Sequence, residues 1–369
     1  MFSTVRASRL FVHPSPSHVV RRLLATVPPT TALIPVIDFT KFNEAAKQSE
    51  RKHVADMIVS AFKESGFIYL SGHGIPEGTV QDAFSKSAEF FALPSKTKDK
   101  LAWEDPRSNR GYVTVGRERV TQSADPVEIA ALRAKAPDCK ESMEIGRDWD
   151  AEWKNQWPQE VDVPKFRQTM LDFYHTCHKL HVHVMRSIAL GLDLEEDFFD
   201  KKIDEQCHNL RLLSYPPIKT NLLQDSGQAR AASHSGLFNQ FTLTAYAHVT
   251  TWHPDYGTLT LLFQDSVGGL EVQNPHTGSF VPATPIPGTI VINVGDLLAR
   301  WSNDVLRSTL HRVVAPPAKR MKDDETVTPA RQSIAFFCNP NFSTEVACLP
   351  NCGRMAKYPP VNAVHYDEA

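Results

Sequence analysis

The fold is decided by residues 255–273, Asp-Tyr-Gly-Thr-Leu-Thr-Leu-Leu-Phe-Gln-Asp-Ser-Val-Gly-Gly-Leu-Glu-Val-Gln. Two short runs of β-branched, leucine and aromatic residues flank a pair of glycines, a pattern that predicts a strand, a turn and a second strand. Similar apolar runs bounded by turn residues follow at 287–296, 308–314 and 331–337. Several short strands at such spacing indicate a sandwich or a jelly roll.

The residues before this stretch follow a different pattern. After a first strand near Ile34, charged and apolar residues alternate at helical spacing, with one strand near 66–70 and a long amphipathic helix from Phe166 to Leu190 that stops at Gly191. We therefore predict a mixed α+β fold with a double-stranded β-helix (jelly-roll) core behind a helical N-terminal region. The predicted divisions are a tail at 1–32, a mostly helical region at 33–205, a jelly-roll core at 206–345 and a C-terminal tail at 346–369.

A metal site is predicted at His253-Pro254-Asp255 together with His311. Residues i and i+2 of an extended segment point the same way, so His253 and Asp255 can share one ion. His311, 56 positions after Asp255, is the candidate third ligand. Two imidazoles and one carboxylate occupy one face of an octahedral Fe(II) and leave the other positions open for a co-substrate and O2.

An anion site is predicted on the next strand, in Arg331-Gln332-Ser333. The planar guanidinium of Arg331 offers a fork of donors to a carboxylate, and the Ser333 hydroxyl lies beside it at strand spacing.

With these motifs in place, the chain resembles the iron- and 2-oxoglutarate-dependent dioxygenases of the isopenicillin-N-synthase-like superfamily. The resemblance covers nearly all of the chain after the first thirty-odd residues. Besides the motifs above, it rests on Ile34–Asp38, Gly66–Ile75, Phe90–Pro94, Asn109–Tyr112, Lys140–Glu144 and Leu210–Pro217. Asn109–Tyr112 and Lys140–Glu144 are expected within the helical region.

The resemblance implies the roles of the site residues. His253, Asp255 and His311 would hold Fe(II), Arg331 and Ser333 would bind the far carboxylate of 2-oxoglutarate, and Tyr215 would lie beside that co-substrate. No catalytic residue is expected beyond the metal ligands. With O2, 2-oxoglutarate would yield succinate and CO2, while a small organic substrate, a secondary metabolite or a nucleobase, undergoes hydroxylation, desaturation or ring closure. An iron oxidase that does not use 2-oxoglutarate is the alternative.

One segment departs from the family pattern. Ala229–Ser235 resembles the approach to the first ligand, yet Gly236 follows where an Asp belongs. Joining Ser235 to Asp255 restores His-Ser-Asp, and 236–254 fits a retained intron that leaves the reading frame intact. His253 is preferred as first ligand because it has the i, i+2 spacing in the chain as written, and His234 remains the competitor. The apolar insert also leaves open a product without activity.

Composition limits the other functions. The chain has 369 residues and a formal net charge of −2 with both signs interspersed, which gives no indication of a nucleic-acid partner. No apolar run is long enough to cross a membrane. We expect the protein to be a monomer. The six cysteines include no Cys-x-x-Cys pair and are typical of reduced thiols in a cytoplasmic enzyme. Residues 1–37 contain four arginines and no acidic residue, so a mitochondrial location is the alternative.

The long helix carries four histidines at spacings of two and three: His175, His178, His181 and His183. They fit either a second metal site or a packed or solvated helix face. Asp172 alone offers a carboxylate nearby, and two basic residues raise the local positive charge. The sequence therefore favours the packed or solvated face.

Overall fold

The structure is a computed structural model that describes residues 33–103, 105, 108–115, 140–217, 231–234 (backbone), 255–314 and 328–364. Residues from Leu33 onward form one compact unit. The predicted N-terminal tail, the segment 236–254 and His253 lie outside the described residues.

The described part contains fourteen strands and six α-helices. The helices are α1 (Gln48–Glu64), α2 (Glu77–Phe91), α3 (Ser95–Lys98), α4 (Phe166–Gly191), α5 (Asp200–Ile203) and α6 (Asp296–Trp301). The strands are β1 (Val36–Asp38), β2 (Phe67–Ser71), β3 (Gly111–Val113), β4 (Glu141–Gly146), β5 (Asn209–Tyr215), β6 (Ala231–His234), β7 (Leu259–Gln264), β8 (Leu270–Gln273), β9 (Phe280–Pro282), β10 (Thr289–Val294), β11 (His311–Val313), β12 (Arg331–Cys338), β13 (Glu345–Val346) and β14 (Val361–Asn362).

Most strands belong to two sheets. The major sheet has eight strands in the order β1-β2-β10-β7-β12-β5-β4-β3, and the minor sheet has four in the order β6-β11-β8-β9. All pairings in both sheets are antiparallel except β1 with β2. Strands β13 and β14 form a separate pair. This arrangement of two mainly antiparallel sheets agrees with the predicted jelly-roll core.

The two faces of the major sheet have different neighbours. On β12, Ile334, Phe336 and Cys338 belong to the large core that also includes helices α1, α2 and α4. The alternate residues Ala335 and Phe337 pack instead with Val313 of the minor sheet. Because side chains alternate along a strand, Arg331 and Ser333 share this second face. The space between the two sheets is therefore the place for the predicted site.

Two segments differ from the sequence prediction. Asn109–Tyr112 and Lys140–Glu144 were expected in the helical region, but they contribute to β3 and β4 at the edge of the major sheet. The alternation in β4 explains this: Met143 packs into the helical core while Ser142 and Glu144 occupy the opposite face. The prediction failed because a six-residue strand is short and its partner β5 lies more than sixty residues away.

None of the described helices is long and apolar enough to cross a membrane. The predicted domain boundaries remain predictions.

Candidate functional site

Asp255 is held in one orientation by hydrogen bonds to both carboxylate oxygens. It lies just before β7 and is 3% exposed. Its Oδ1 accepts a hydrogen bond from the Thr260 hydroxyl at 2.9 Å, and its Oδ2 accepts one from the Asn293 amide at 3.2 Å. Such donors fix the direction of a ligating carboxylate.

The backbone around Asp255 is equally constrained. The carbonyl oxygen of Asp255 accepts a hydrogen bond from the Asp296 amide at the start of α6. A Cβ at Gly257 would lie 2.0 Å from the Cys338 carbonyl oxygen, so only glycine allows this close approach. Burial, and to a lesser extent the charge of Asp255, raises the pKa of Asp296 to about 8. Asp296 therefore adds little negative charge beside Asp255 near neutral pH.

His311 faces Asp255 across the barrel. Its Nε2 lies 3.1 Å from Asp255 Oδ2, and its Nδ1 lies 3.1 Å from the Thr309 carbonyl oxygen. A carbonyl only accepts, so Nδ1 carries the proton of its hydrogen bond and Nε2 is the nitrogen turned to the carboxylate; in the neutral tautomer Nε2 offers a lone pair there. A lone pair and a carboxylate oxygen that face each other fit a bound cation, and the carbonyl is the usual outer partner of a metal-bound histidine.

The first ligand is not decided by this geometry alone. Strand β6 pairs with β11, and His234 lies directly opposite His311 in the register. His253, the residue preferred from the sequence, lies outside the described residues, so its predicted role stays a prediction.

Arg331 is buried between the sheets beside Ser333 and Tyr215. The guanidinium donates from Nε to the Gly268 carbonyl oxygen and from a terminal nitrogen to the Ser333 hydroxyl, both at 3.0 Å. Its Cζ lies 4.8 Å from the centre of the Tyr215 ring. Among the described residues, no carboxylate lies within ion-pair distance of this 1% exposed cation. A buried cation without a counterion is costly, so these residues fit the carboxylate of a ligand.

Replacing Arg331 by lysine is expected to raise the 2-oxoglutarate concentration needed for half-maximal turnover by about tenfold or more, on the order of 1.5–3 kcal/mol. The charge is kept, but the planar fork is lost. Iron affinity should hardly change, because Arg331 does not touch Asp255 or His311. Succinate release titrated against 2-oxoglutarate measures the effect, and an unchanged dependence would favour the iron oxidase alternative.

A second group of histidines lies at α4, on the other face of the major sheet. His178 and His181 of α4 meet His208, which precedes β5, and one ligand atom from each lies within 4.8 Å of the others. This three-histidine cluster is separate from Asp255 and His311. Burial lowers the pKa of His178 to about 4 and that of His181 to about 3. The helical spacing predicted a packed or solvated face here but gave no indication of His208, which no spacing rule connects to α4.

Because these histidines are buried, we expect the metal-free protein to lose stability at acidic pH. His181 is fully buried, and its pKa is near 3 when folded against an ordinary 6.5. The unfolded chain thus binds more protons between these values, so the free energy of unfolding falls as the pH drops from 6.5 towards 4. His181 alone contributes on the order of several kcal/mol. Urea unfolding across this range should show that the free energy of unfolding depends less on pH in His181→Gln than in the wild type. An unchanged dependence would show that His181 is not the group responsible.

Comparisons with known proteins agree with this site. Residues 34–160 match the family described as non-haem dioxygenase in morphine synthesis N-terminal, and residues 206–340 match the 2OG-Fe(II) oxygenase superfamily. The 2-oxoglutarate-Fe(II) type oxidoreductase ppzD of Metarhizium majus is 32% identical, over 90% of this chain and 92% of that one. The proline hydroxylase buaE of Petromyces alliaceus is 34% identical, over 85% and 89%.

A solved relative is more similar in sequence. A full-length Neurospora crassa protein, crystallised in complex with alpha-KG and thymine, is 43% identical, with a TM-score of 0.78 over 90% of this chain and 94% of that one. The chain therefore belongs to the 2OG-Fe(II) oxygenase superfamily. It is a 2-oxoglutarate-dependent dioxygenase that uses Fe(II) and oxidises a small organic substrate, with release of succinate and CO2.

Proposed function

We propose that this dioxygenase oxidises the methyl group of a 5-methylpyrimidine base such as thymine. The observation that carries the proposal is the 43% identity to the Neurospora crassa protein that was crystallised with thymine. The same relative was also crystallised with 5-formyluracil. The two ligands are one ring whose 5-substituent is at two oxidation levels, which supports oxidation at that carbon.

The space between the sheets has groups suited to such a ring. Glu144 of β4 and Arg211 of β5 form an ion pair with Nε and Oε1 at 2.6 Å, and both side chains are buried. Arg211 also lies over the Phe337 ring, with Cζ 5.6 Å from its centre. A pyrimidine imide alternates N–H donors with carbonyl acceptors, which a carboxylate and a guanidinium can pair with, and an aromatic face can stack on the ring.

Phe337 also connects this pair to the metal site. It lies opposite Thr260 in the sheet register, and the Thr260 hydroxyl holds Asp255. A ring stacked on Phe337 would therefore lie beside the residue that holds Asp255. This arrangement supports a substrate position near the iron.

For the iron ligands we propose His234, Asp255 and His311. The backbone register supports His234, because residues directly opposite each other in an antiparallel pair are about 4.5–5.5 Å apart at Cα. This choice departs from the preference for His253 based on spacing. It is consistent with 236–254 being an insertion between His234-Ser235 and Asp255.

Each group then has a defined task. Bound Fe(II) supplies the activation of O2 and the oxidative decarboxylation of 2-oxoglutarate. Arg331 and Ser333 hold the far carboxylate of the co-substrate, and Thr260 and Asn293 keep Asp255 oriented. The apolar side chains of Leu213, Val313 and Phe337 exclude water from the space in which the C–H bond is oxidised.

The test is turnover by the purified chain with Fe(II), 2-oxoglutarate and thymine. We expect succinate together with 5-hydroxymethyluracil, both measured by mass spectrometry. Glu144→Gln should raise the KM for thymine about tenfold or more, because the substrate loses a charge-assisted hydrogen bond. The dependence of turnover on 2-oxoglutarate should stay unchanged. Glu271→Gln, in the minor-sheet pair with Arg312, is the matched control.

Free L-proline is the competing substrate to include, because one relative is a proline hydroxylase. Oxidation of proline without oxidation of thymine would overturn the proposed substrate while keeping the dioxygenase activity.

For the whole protein we propose a monomeric cytoplasmic enzyme, with a mitochondrial location as the alternative. The six cysteines without a Cys-x-x-Cys pair support an intracellular location, and the acid-free N-terminal segment supports the mitochondrial alternative.

A further inference from the structure

We propose that the three-histidine cluster of His178, His181 and His208 is a second cation site that takes Zn2+. The cluster is distinct from the iron site in position and in ligand type. It contains three imidazoles and no carboxylate, whereas the iron site combines imidazole with the carboxylate of Asp255. Zn2+ is well suited to imidazole nitrogen, and a three-histidine set leaves a fourth position for water.

The three-histidine cluster and the predicted iron site lie on opposite faces of the major sheet. His208 contacts Phe336 with ring centres 5.1 Å apart, and Phe336 belongs to the core beneath the helices. Arg331 and Ser333 alternate with Phe336 along β12 and therefore lie on the opposite face. The cluster is packed between α4 and the sheet, outside the space between the two sheets.

The hydrogen bonds around His181 leave the lone pair of one ring nitrogen without a hydrogen-bond donor among the described residues. His181 Nε2 lies 2.9 Å from the Thr258 hydroxyl, which itself donates to the Cys338 carbonyl oxygen at 3.0 Å. The hydroxyl must therefore accept from Nε2–H, and the neutral ring keeps its lone pair on Nδ1. Nδ1 of this fully buried residue has no hydrogen-bond partner among the described residues. Such an atom is costly unless a ligand uses it.

The other two rings of the cluster meet through a hydrogen bond of their own. The Asn339 amide donates to His208 Nδ1 at 3.1 Å, so neutral His208 carries its proton on Nε2. That nitrogen lies 3.0 Å from His178 Nδ1, which accepts the hydrogen bond. When a cation enters, the His208 proton moves from Nε2 to Nδ1 and the hydrogen bond from Asn339 is lost. Each of the three rings then has one lone pair available for the ion, and one ligand atom of each ring lies within 4.8 Å of the others.

The spacing requires only a small movement. Nitrogens bound to tetrahedral Zn2+ at about 2.0–2.1 Å lie roughly 3.4 Å apart, and the three ligand atoms already lie within 4.8 Å of one another. His178 is partly exposed, which gives the ion and its fourth ligand, a water molecule, a route from solvent.

The experiment counts metal in full-length protein whose iron site has been disabled by His311→Ala. Equilibrium dialysis should give one Zn2+ per chain. Co2+ as a spectroscopic probe should show the visible absorption of a tetrahedral site. Adding His178→Gln or His181→Gln should weaken binding of both ions at least tenfold. His183→Gln, on the same helix but outside the cluster, is the matched control and should bind normally.

Wild-type protein saturated with Fe(II) and 2-oxoglutarate without O2 provides an independent measurement, because it should take up one further Zn2+. Folded protein, checked by circular dichroism, that binds no Zn2+ in either background would overturn the proposal and leave the cluster as a hydrogen-bonded packing element. Binding that survives both His178→Gln and His181→Gln would overturn it equally, because the ion would then lie elsewhere.

Discussion

Replacing His311 by alanine is expected to abolish iron binding and turnover together. Asp255 and one remaining histidine hold a labile divalent ion poorly, and the Asp255 carboxylate loses the nitrogen that faces it at 3.1 Å. Loss of an outer partner of a metal ligand already costs 10–100-fold, so loss of a ligand should lower turnover by more than about 100-fold. Iron per chain and succinate release, measured on the same preparation, check this.

A matched control is His276→Ala. His276 is an exposed histidine whose Nε2 pairs with Glu64 at the surface, and it takes no part in the proposed site. This variant should keep normal iron content and activity. Full iron occupancy in His311→Ala would remove His311 from the site and with it the assignment of the whole ligand set.

Replacing His234 by alanine is expected to have an effect of the same size, whereas His253→Ala should keep its iron. His234 pairs in register with His311, and this pairing brings the two histidines to adjacent strands of the minor sheet. Deletion of 236–254 joins His234-Ser235 to Asp255 and restores the i, i+2 spacing. The shortened protein should be more soluble, bind iron at least as well and show higher 2-oxoglutarate turnover without substrate.

Four proteins decide the matter when iron per chain is measured in parallel: the full chain, the deletion, His234→Ala and His253→Ala. Loss of iron in His253→Ala but not in His234→Ala would reinstate the ligand chosen from spacing alone. Damage to folding in the deletion would then mark 236–254 as a genuine part of the fold. Transcript sequence across codons 236–255 tests the retained intron independently.

Local patterns in the sequence determined the jelly roll and most of the candidate site. Strands β7, β8, β10 and β12 are short apolar runs bounded by turn residues, and β10 and β12 are buried on both faces. Four site residues could be predicted from the sequence because each belongs to a short motif with an i, i+2 spacing or follows such a motif in the family order. They are Asp255, His311, Arg331 and Ser333. The long helix α4 was equally clear, since its apolar periodicity extends over seven turns.

Only the tertiary structure decided which distant residues meet. Strand β4 forms because β5 offers it a partner, and β3 pairs in turn with β4; no local period encodes these pairings. The same holds for His208, which joins two histidines of α4 from about thirty residues away, and for the register of β6 that places His234 opposite His311. Local spacing favoured His253, while strand pairing favours His234. A ligand set is defined by contacts across the sheet, and such contacts arise from packing and hydrogen bonding between segments whose separation along the chain carries no periodic signal.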